Sequence, residues 1–176
     1  MGANLSAMPE IAGNIERLIK WARENAIYII FVRTTHDSWT DDPVWVRRRP
    51  QHAPRFCTTG SWGADWYKVS PEPSDCIVTK HRYSAFIGTD LELILRSLSI
   101  NTLITVGVAT NVCVESTVRD AFMRGFSIVL IEDALAAPSL EEHRTSIDTM
   151  QKYFAAEVIN TAQAENWWRS DRTAPK

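Results

Sequence analysis

The sequence predicts an α/β protein with three layers, helices covering both faces of a mostly parallel sheet. Two observations carry this. Continuous apolar runs rich in β-branched and aromatic residues, Ala26–Val32 and Phe126–Ile131, have the composition of strands buried on both faces. Between such runs lie segments whose apolar residues recur at the helical period. Strands alternating with helices at this spacing build right-handed βαβ units, and those build a parallel sheet. At 176 residues, with no internal repeat, residues 1–176 are predicted to form a single domain with one substantial core.

The elements follow in order. Ile11, Ile15, Leu18, Ile19 and Ala22 repeat at helical spacing, with Pro9 tolerated in the first turn. Ala26–Val32 is the first strand. From Arg33 to about Asp75 the chain is irregular, with five prolines (Pro43, Pro50, Pro54, Pro71, Pro73) and four tryptophans (Trp39, Trp45, Trp62, Trp66). A loop that long inside one domain is usually functional, and so many large aromatics suit a pocket wall or a subunit contact. Cys76–Val78 reads as a short strand. Leu91, Ile94, Leu95 and Leu98 mark a helix opened by Thr89, with Asp90 and Glu92 in its first turn. Thr102–Val106 is a strand, and Val114, Thr117, Val118, Ala121 and Phe122 line the next helix, closed by Gly125. After the strand Phe126–Ile131, Ser139 and Glu142 form a capping-box pair for a helix to about Phe154. A last strand near Glu157–Ile159 precedes a polar tail.

Composition narrows the function. Apolar residues are 45% and charged residues 23%, so disorder is not expected, and a net charge of -2 suggests no polyanionic partner. Arg47, Arg48 and Arg49 cluster without a basic stripe or a recognised module, so no nucleic acid is expected. Cys57, Cys76 and Cys113 are an odd number at wide spacing, which argues against a disulfide framework or a structural zinc site and for a reducing compartment. No signal-peptide pattern and no apolar run of spanning length are visible, so a soluble cytoplasmic protein is expected, with no membrane partner.

The segment richest in chemistry is Val106–Glu115, which places Cys113 where a strand ends and a helix begins. Ligands of parallel α/β sheets bind outside the carboxyl ends of the strands. A thiol at a helix N-terminus meets the positive end of the macrodipole, and unpaired N–H groups there can hold an oxyanion. A lone cysteine is otherwise most often a small buried hydrophobe. Lys80 follows the strand Cys76–Val78 and would reach the same crevice, where its charge could hold a thiolate or an oxyanion; its plain alternative is a solvated surface lysine.

Gly107–Val114 resembles the nucleophile segment of the isochorismatase-like (nicotinamidase-type) cysteine hydrolases, and Lys80–Phe86 resembles their lysine segment. In their longer forms, Lys80 with Arg82, Tyr83, Ser84 and Phe86, and Ala109–Asp120, the two motifs are most similar to the ureidoacrylate amidohydrolase and biuret hydrolase branch. Gly60-Ser61-Trp62 before an acidic, proline-containing stretch fits that branch too. The resemblance spans roughly residues 8 to 160. It implies a three-layer fold with Cys113 as nucleophile, Lys80 beside it, and a cis peptide between Val108 and Ala109 that turns the Ala109 and Cys113 N–H groups toward an oxyanion. It also implies Arg82, Tyr83, Phe86 and Trp62 as pocket-lining candidates, and a homo-oligomer. The reaction implied is cleavage of a C–N bond in a small urea-like or carbamoyl substrate through a covalent acyl-enzyme.

The chain departs from this pattern at one place. Family members carry an acid–base aspartate on a first strand in the middle of the sheet, and the segment before the first helix here does not contain it. The expected fold is therefore the isochorismatase-like one without its first strand. A space one strand wide would leave unpaired backbone groups facing a hole, so either the neighbouring strands close up or the natural protein is longer than this chain. Asp37, after the first visible strand, is weighed as a substitute acid and read as a solvated loop residue. His36 and Asp37 stand in His-Asp order with His52 the only further histidine nearby, which does not reproduce a nicotinamidase metal pattern, so neither metal nor cofactor is expected. Glu115 pairs at i,i+4 with Arg119 and is read as structural. A hydrolase is the leading reading; a catalytically impaired binding or assembly module is the alternative. A peroxidatic cysteine is weaker, because no resolving cysteine is near Cys113 in the sequence.

Overall fold

The structure is a computed structural model, and it describes residues 8–48, 55–164 and 166. Arg49, Pro50, His52, Pro54 and most of the polar tail lie outside the described residues. Among the described residues helices and strands alternate: α1 Met8–Glu24, β1 Ile30–Thr34, α2 Pro43–Arg47, β2 Cys76–Lys80, α3 Leu91–Ser97, β3 Thr102–Val108, α4 Glu115–Met123, β4 Ser127–Ala136, α5 Leu140–Phe154 and β5 Glu157–Ile159.

All strand pairs within the two sheets are parallel, but the strands form two sheets, β1–β2 and β3–β4–β5. β1 and β3 have not closed onto one another. Along β4 the side chains alternate between two cores, as period-two geometry requires. Ile128 and Leu130 join Val118, Ala121, Ile147, Met150 and Phe154 on the side of α4 and α5, with Leu91 and Leu95 of α3. Val129 and Ile131 join Leu18, Trp21 and Ala22 of α1 on the other. Helices thus cover both faces of the three-stranded sheet.

The first strand differs from expectation. Ala26 takes a left-handed conformation (φ 54°) and Ile27 N–H returns to the Ala22 carbonyl, so the start of the apolar run closes α1 instead of extending a strand. The strand begins at Ile30 and runs on to Thr34. It is not buried on both faces: Val32 is 39% exposed, because one edge of β1 has no partner among the described residues. The long loop is also less irregular than expected. Asp42 caps α2, its carboxylate accepting from the Val44 and Trp45 N–H groups, with Pro43 in the first turn, where its missing N–H costs nothing. Trp66 packs edge-on against Phe31 of β1 (5.5 Å between ring centres).

Candidate active site

The carboxyl ends of β2 and β3, which belong to different sheets, meet over the site. Lys80 is the last residue of β2, and its carbonyl accepts the Thr35 N–H (3.1 Å) that continues the ladder past β1. Its side chain is only 4% exposed and makes two polar contacts: Nζ donates to the Arg82 carbonyl (2.8 Å) and to Cys113 Sγ (3.3 Å).

On the β3 side, the Val108–Ala109 peptide is cis. The chain then makes one π-helical turn, Thr110–Val114, before α4 proper. The Ala109 carbonyl accepts from the Val112 and Val114 N–H groups, and this wide turn carries Cys113. Side-chain bonds hold the turn. Thr117 Oγ1 donates to the Cys113 carbonyl (2.7 Å) and accepts the Ala85 N–H (3.0 Å), tying the lysine segment to the base of α4. Ser146 of α5 donates to the Thr110 carbonyl (3.2 Å) and to Glu115 (2.5 Å), while Glu115 also pairs with Arg119. Thr110 Oγ1, fully buried, meets His143 Nδ1 at 3.0 Å. Burial holds the His143 imidazole below its ordinary range, with Arg144 adding to the effect and Glu132 opposing it.

A buried ammonium against a sulfur at the mouth of a helix is an arrangement that can hold negative charge on sulfur or on the oxygen of an attacked carbonyl. Among the described residues, no carboxylate touches Lys80 or Cys113, and no group of three or more His, Cys, Asp or Glu is placed to hold a metal. Asp37 accepts from Trp39, Thr40 and Thr59 in a closed turn of its own, and those bonds hold its carboxyl below the usual range.

The pocket candidates divide. Arg82 donates to the Thr40 carbonyl (2.9 Å) and to Asp42 (2.8 Å), which folds the loop onto the lysine segment. Tyr83 packs against Trp45 with tilted rings (4.8 Å between centres), and Arg48 lies over the same indole (3.8 Å). Phe86 is 7% exposed and packs in the main core beside Phe126. Trp62 stands 89% exposed on a 3-10 turn, and no hydrogen bond or ring contact ties it to Lys80 or Cys113.

Two features escaped the sequence reading. His36 and Asp41 form a buried contact (2.9 Å) under Trp45, which only the folded loop brings together. Cys57 follows the loop back to the site: His36 N–H donates to its carbonyl (2.8 Å). Burial pushes the Cys57 thiol up, the Cys113 sulfur adds to this and Lys80 opposes it, so a second cysteine lies within electrostatic reach of the pair. The odd third cysteine was the only signal for it.

Comparison with known proteins bears on this geometry. The Isochorismatase domain family matches residues 1–163. The ureidoacrylate amidohydrolase RutB of Variovorax paradoxus is 34% identical over 148 residues, which cover 76% of this chain and 59% of that protein. The chain thus spans about three fifths of that curated relative's length. Among solved structures, a cysteine hydrolase from Pseudomonas syringae pv. phaseolicola superposes with a TM-score of 0.83 at 26% identity, covering 93% of this chain and 82% of that one. N-carbamoylsarcosine amidase from Thermoplasma acidophilum gives 0.78 at 28% identity, covering 90% and 86%.

Proposed function

Because the chain belongs to the isochorismatase family, we propose that it is a cysteine amidohydrolase that cleaves a C–N bond in a small urea-like or carbamoyl compound, with Cys113 as nucleophile. The single observation that carries this reading is the 3.3 Å contact between Lys80 Nζ and Cys113 Sγ at the joint carboxyl ends of β2 and β3. The Cys113 thiolate attacks the substrate carbonyl, and the oxyanion that forms is met by the Ala109 and Cys113 N–H groups. The C–N bond breaks as the nitrogen takes a proton and leaves as ammonia or an amine. Water then attacks the acyl or carbamoyl thioester, releasing the acid and restoring the thiol. Lys80 supports both steps by charge, and it is the titratable group in contact with the sulfur through which protons can pass. Arg82 and Tyr83 border the substrate on the loop side. Relatives named for activity on ureidoacrylate and on N-carbamoylsarcosine support this substrate class.

The test is ammonia release from biuret and from ureidoacrylate. Turnover is expected from the chain, with a loss on the order of 10³-fold or more in both Cys113→Ala and Lys80→Met. Turnover that survives Cys113→Ala would sink the assignment. A binding module without turnover is the second reading, favoured by the lack of a carboxylate against Lys80 and Cys113 among the described residues; ligand-dependent stabilisation with no ammonia released would favour it.

A further inference from the structure

Helix α5 holds Thr110, the first residue of the turn that carries Cys113, by both of its polar groups. Ser146 Oγ donates to the Thr110 carbonyl (3.2 Å), and the Thr110 hydroxyl meets His143 Nδ1 (3.0 Å). His143 and Ser146 are three residues apart, so one face of α5 presents both. The start of the helix is itself fixed: Ser139 caps it through the Glu142 N–H, and the His143 N–H bonds back to the Ser139 carbonyl (3.0 Å). Asn111, next along the turn, reaches the same end of α5, where its Nδ2 donates to Glu142 (3.3 Å).

The direction of the Thr110–His143 bond follows from burial. Thr110 is fully buried, and a buried hydroxyl needs an acceptor for its one proton. Among the described residues the hydrogen-bond partner of the Thr110 hydroxyl is His143 Nδ1 alone. The Thr110 O–H therefore donates and Nδ1 accepts, which makes the imidazole neutral with its proton on Nε2. A protonated imidazole has donors at both nitrogens. Its Nδ1–H would face the hydroxyl oxygen, and the Thr110 proton would be left buried with no acceptor. Uptake of a proton by His143 thus requires Thr110 to shift.

The imidazole is only half-buried, so protons reach it. Burial holds it below its ordinary 6.5; Arg144 on its own helix adds to this and Glu132 of β4 opposes it. On α4, Glu115 is occupied by Ser146 and Arg119, and Glu157 of β5 lies past the far end of α5. The turn spans only the five residues Thr110–Val114, with Cys113 its one titratable group, and the preceding Ala109 carbonyl is gripped by the Val112 and Val114 N–H groups. A shift of Thr110 is therefore passed to Cys113 and to its 3.3 Å contact with Lys80.

We propose that His143, acting through Thr110, is a positioning residue for the nucleophile: neutral, it holds Cys113 in register with Lys80; protonated, it releases Thr110 and slows attack by the Cys113 sulfur. This assignment rests on Cys113 being the nucleophile. It places an acid limit on reactivity in α5, outside the Lys80–Cys113 pair itself.

The test alkylates the full chain with iodoacetamide across a range of pH and follows the Cys113 peptide by mass, which separates it from Cys57 and Cys76 and needs no substrate. Circular dichroism at each pH confines the range to folded protein. The parent should lose about fivefold more reactivity between about pH 7.5 and 5 than His143→Asn, whose neutral amide can accept the Thr110 bond throughout. Thr110→Val, which deletes the hydroxyl, should also lose this extra fall, and Thr110→Ser, which keeps the hydroxyl, should retain it. A merely structural role would lower rates or melting temperature without changing the shape of these profiles. Equal profiles in the parent and His143→Asn overturn the proposal, and so does an extra fall that survives Thr110→Val. Alkylation and ammonia release are read separately: turnover that survives Cys113→Ala removes the nucleophile assignment, whereas unchanged alkylation profiles remove only the role of His143.

Discussion

Lys80 and Cys113 touch because each ends a short path from a strand, and those paths are legible in the sequence. Both residues sit in ordered motifs, and a strand end in a parallel sheet has one side on which to place them. Phe86 could not be placed in the same way. It lies in the lysine motif, but whether a side chain faces a pocket or the core depends on the turn after Ser84, which spacing does not encode. The Trp45–Tyr83 ring contact and the place of Cys57 needed the loop to fold back by way of His36. At this scale His143 gives a pH prediction. Its imidazole is held below the ordinary 6.5, so the unfolded chain takes up its proton first as pH falls. The stability linked to neutral His143 is full above 6.5 and is lost as pH drops through the interval down to its folded value. Melting temperature should therefore fall more steeply between about pH 7 and 5 in the parent than in His143→Asn. Parallel profiles for the two proteins would refute this.

Elements were easiest to read where local chemistry marks their ends. Ser139 caps α5, accepting the Glu142 N–H (3.2 Å), and Gly125 takes the positive φ (80°) that closes α4. The π turn at Thr110–Val114 has no such mark. It is held by a tertiary bond from Ser146 and a local bond from Thr117 to the Cys113 carbonyl, and periodicity does not register either. The C-terminus of α5 offers a test of end chemistry. Ala155 adopts the left-handed conformation (φ 50°), and its N–H bonds back to Met150. A Cβ is unfavourable there and glycine is not, so Ala155→Gly should raise stability by up to about 1 kcal/mol in denaturant titration. Ser139→Ala at the other end should lower it by about 1 kcal/mol. A destabilised Ala155→Gly would mean that lost backbone entropy in the unfolded chain outweighs the relieved strain.

For the whole molecule, the layer order and the parallel direction followed from alternation alone, whereas the division of the sheet did not. Each strand scores as a strand whether or not its second edge is paired, so composition cannot tell an interior strand from one facing a space. The mark of the division is the partial exposure along β3, whose residues 102–107 are all half-buried. Both halves still superpose together on a single solved chain (TM-score 0.83), so the half carrying Lys80 keeps its station relative to the half carrying Cys113. That station depends on side-chain packing and on a few loop contacts, the Thr117–Ala85 bond among them.

A divided sheet also bears on how the protein comes apart. Among the described residues no main-chain ladder crosses from β1 to β3, so the β1–β2 half, with its long loop, can melt while β3, β4, β5 and their helices keep their fold. Urea unfolding followed by Trp45 and Trp66 fluorescence should then precede the loss of helical circular dichroism, in two separate transitions. Coincident curves would show that the packing between the halves is enough to make them one cooperative unit.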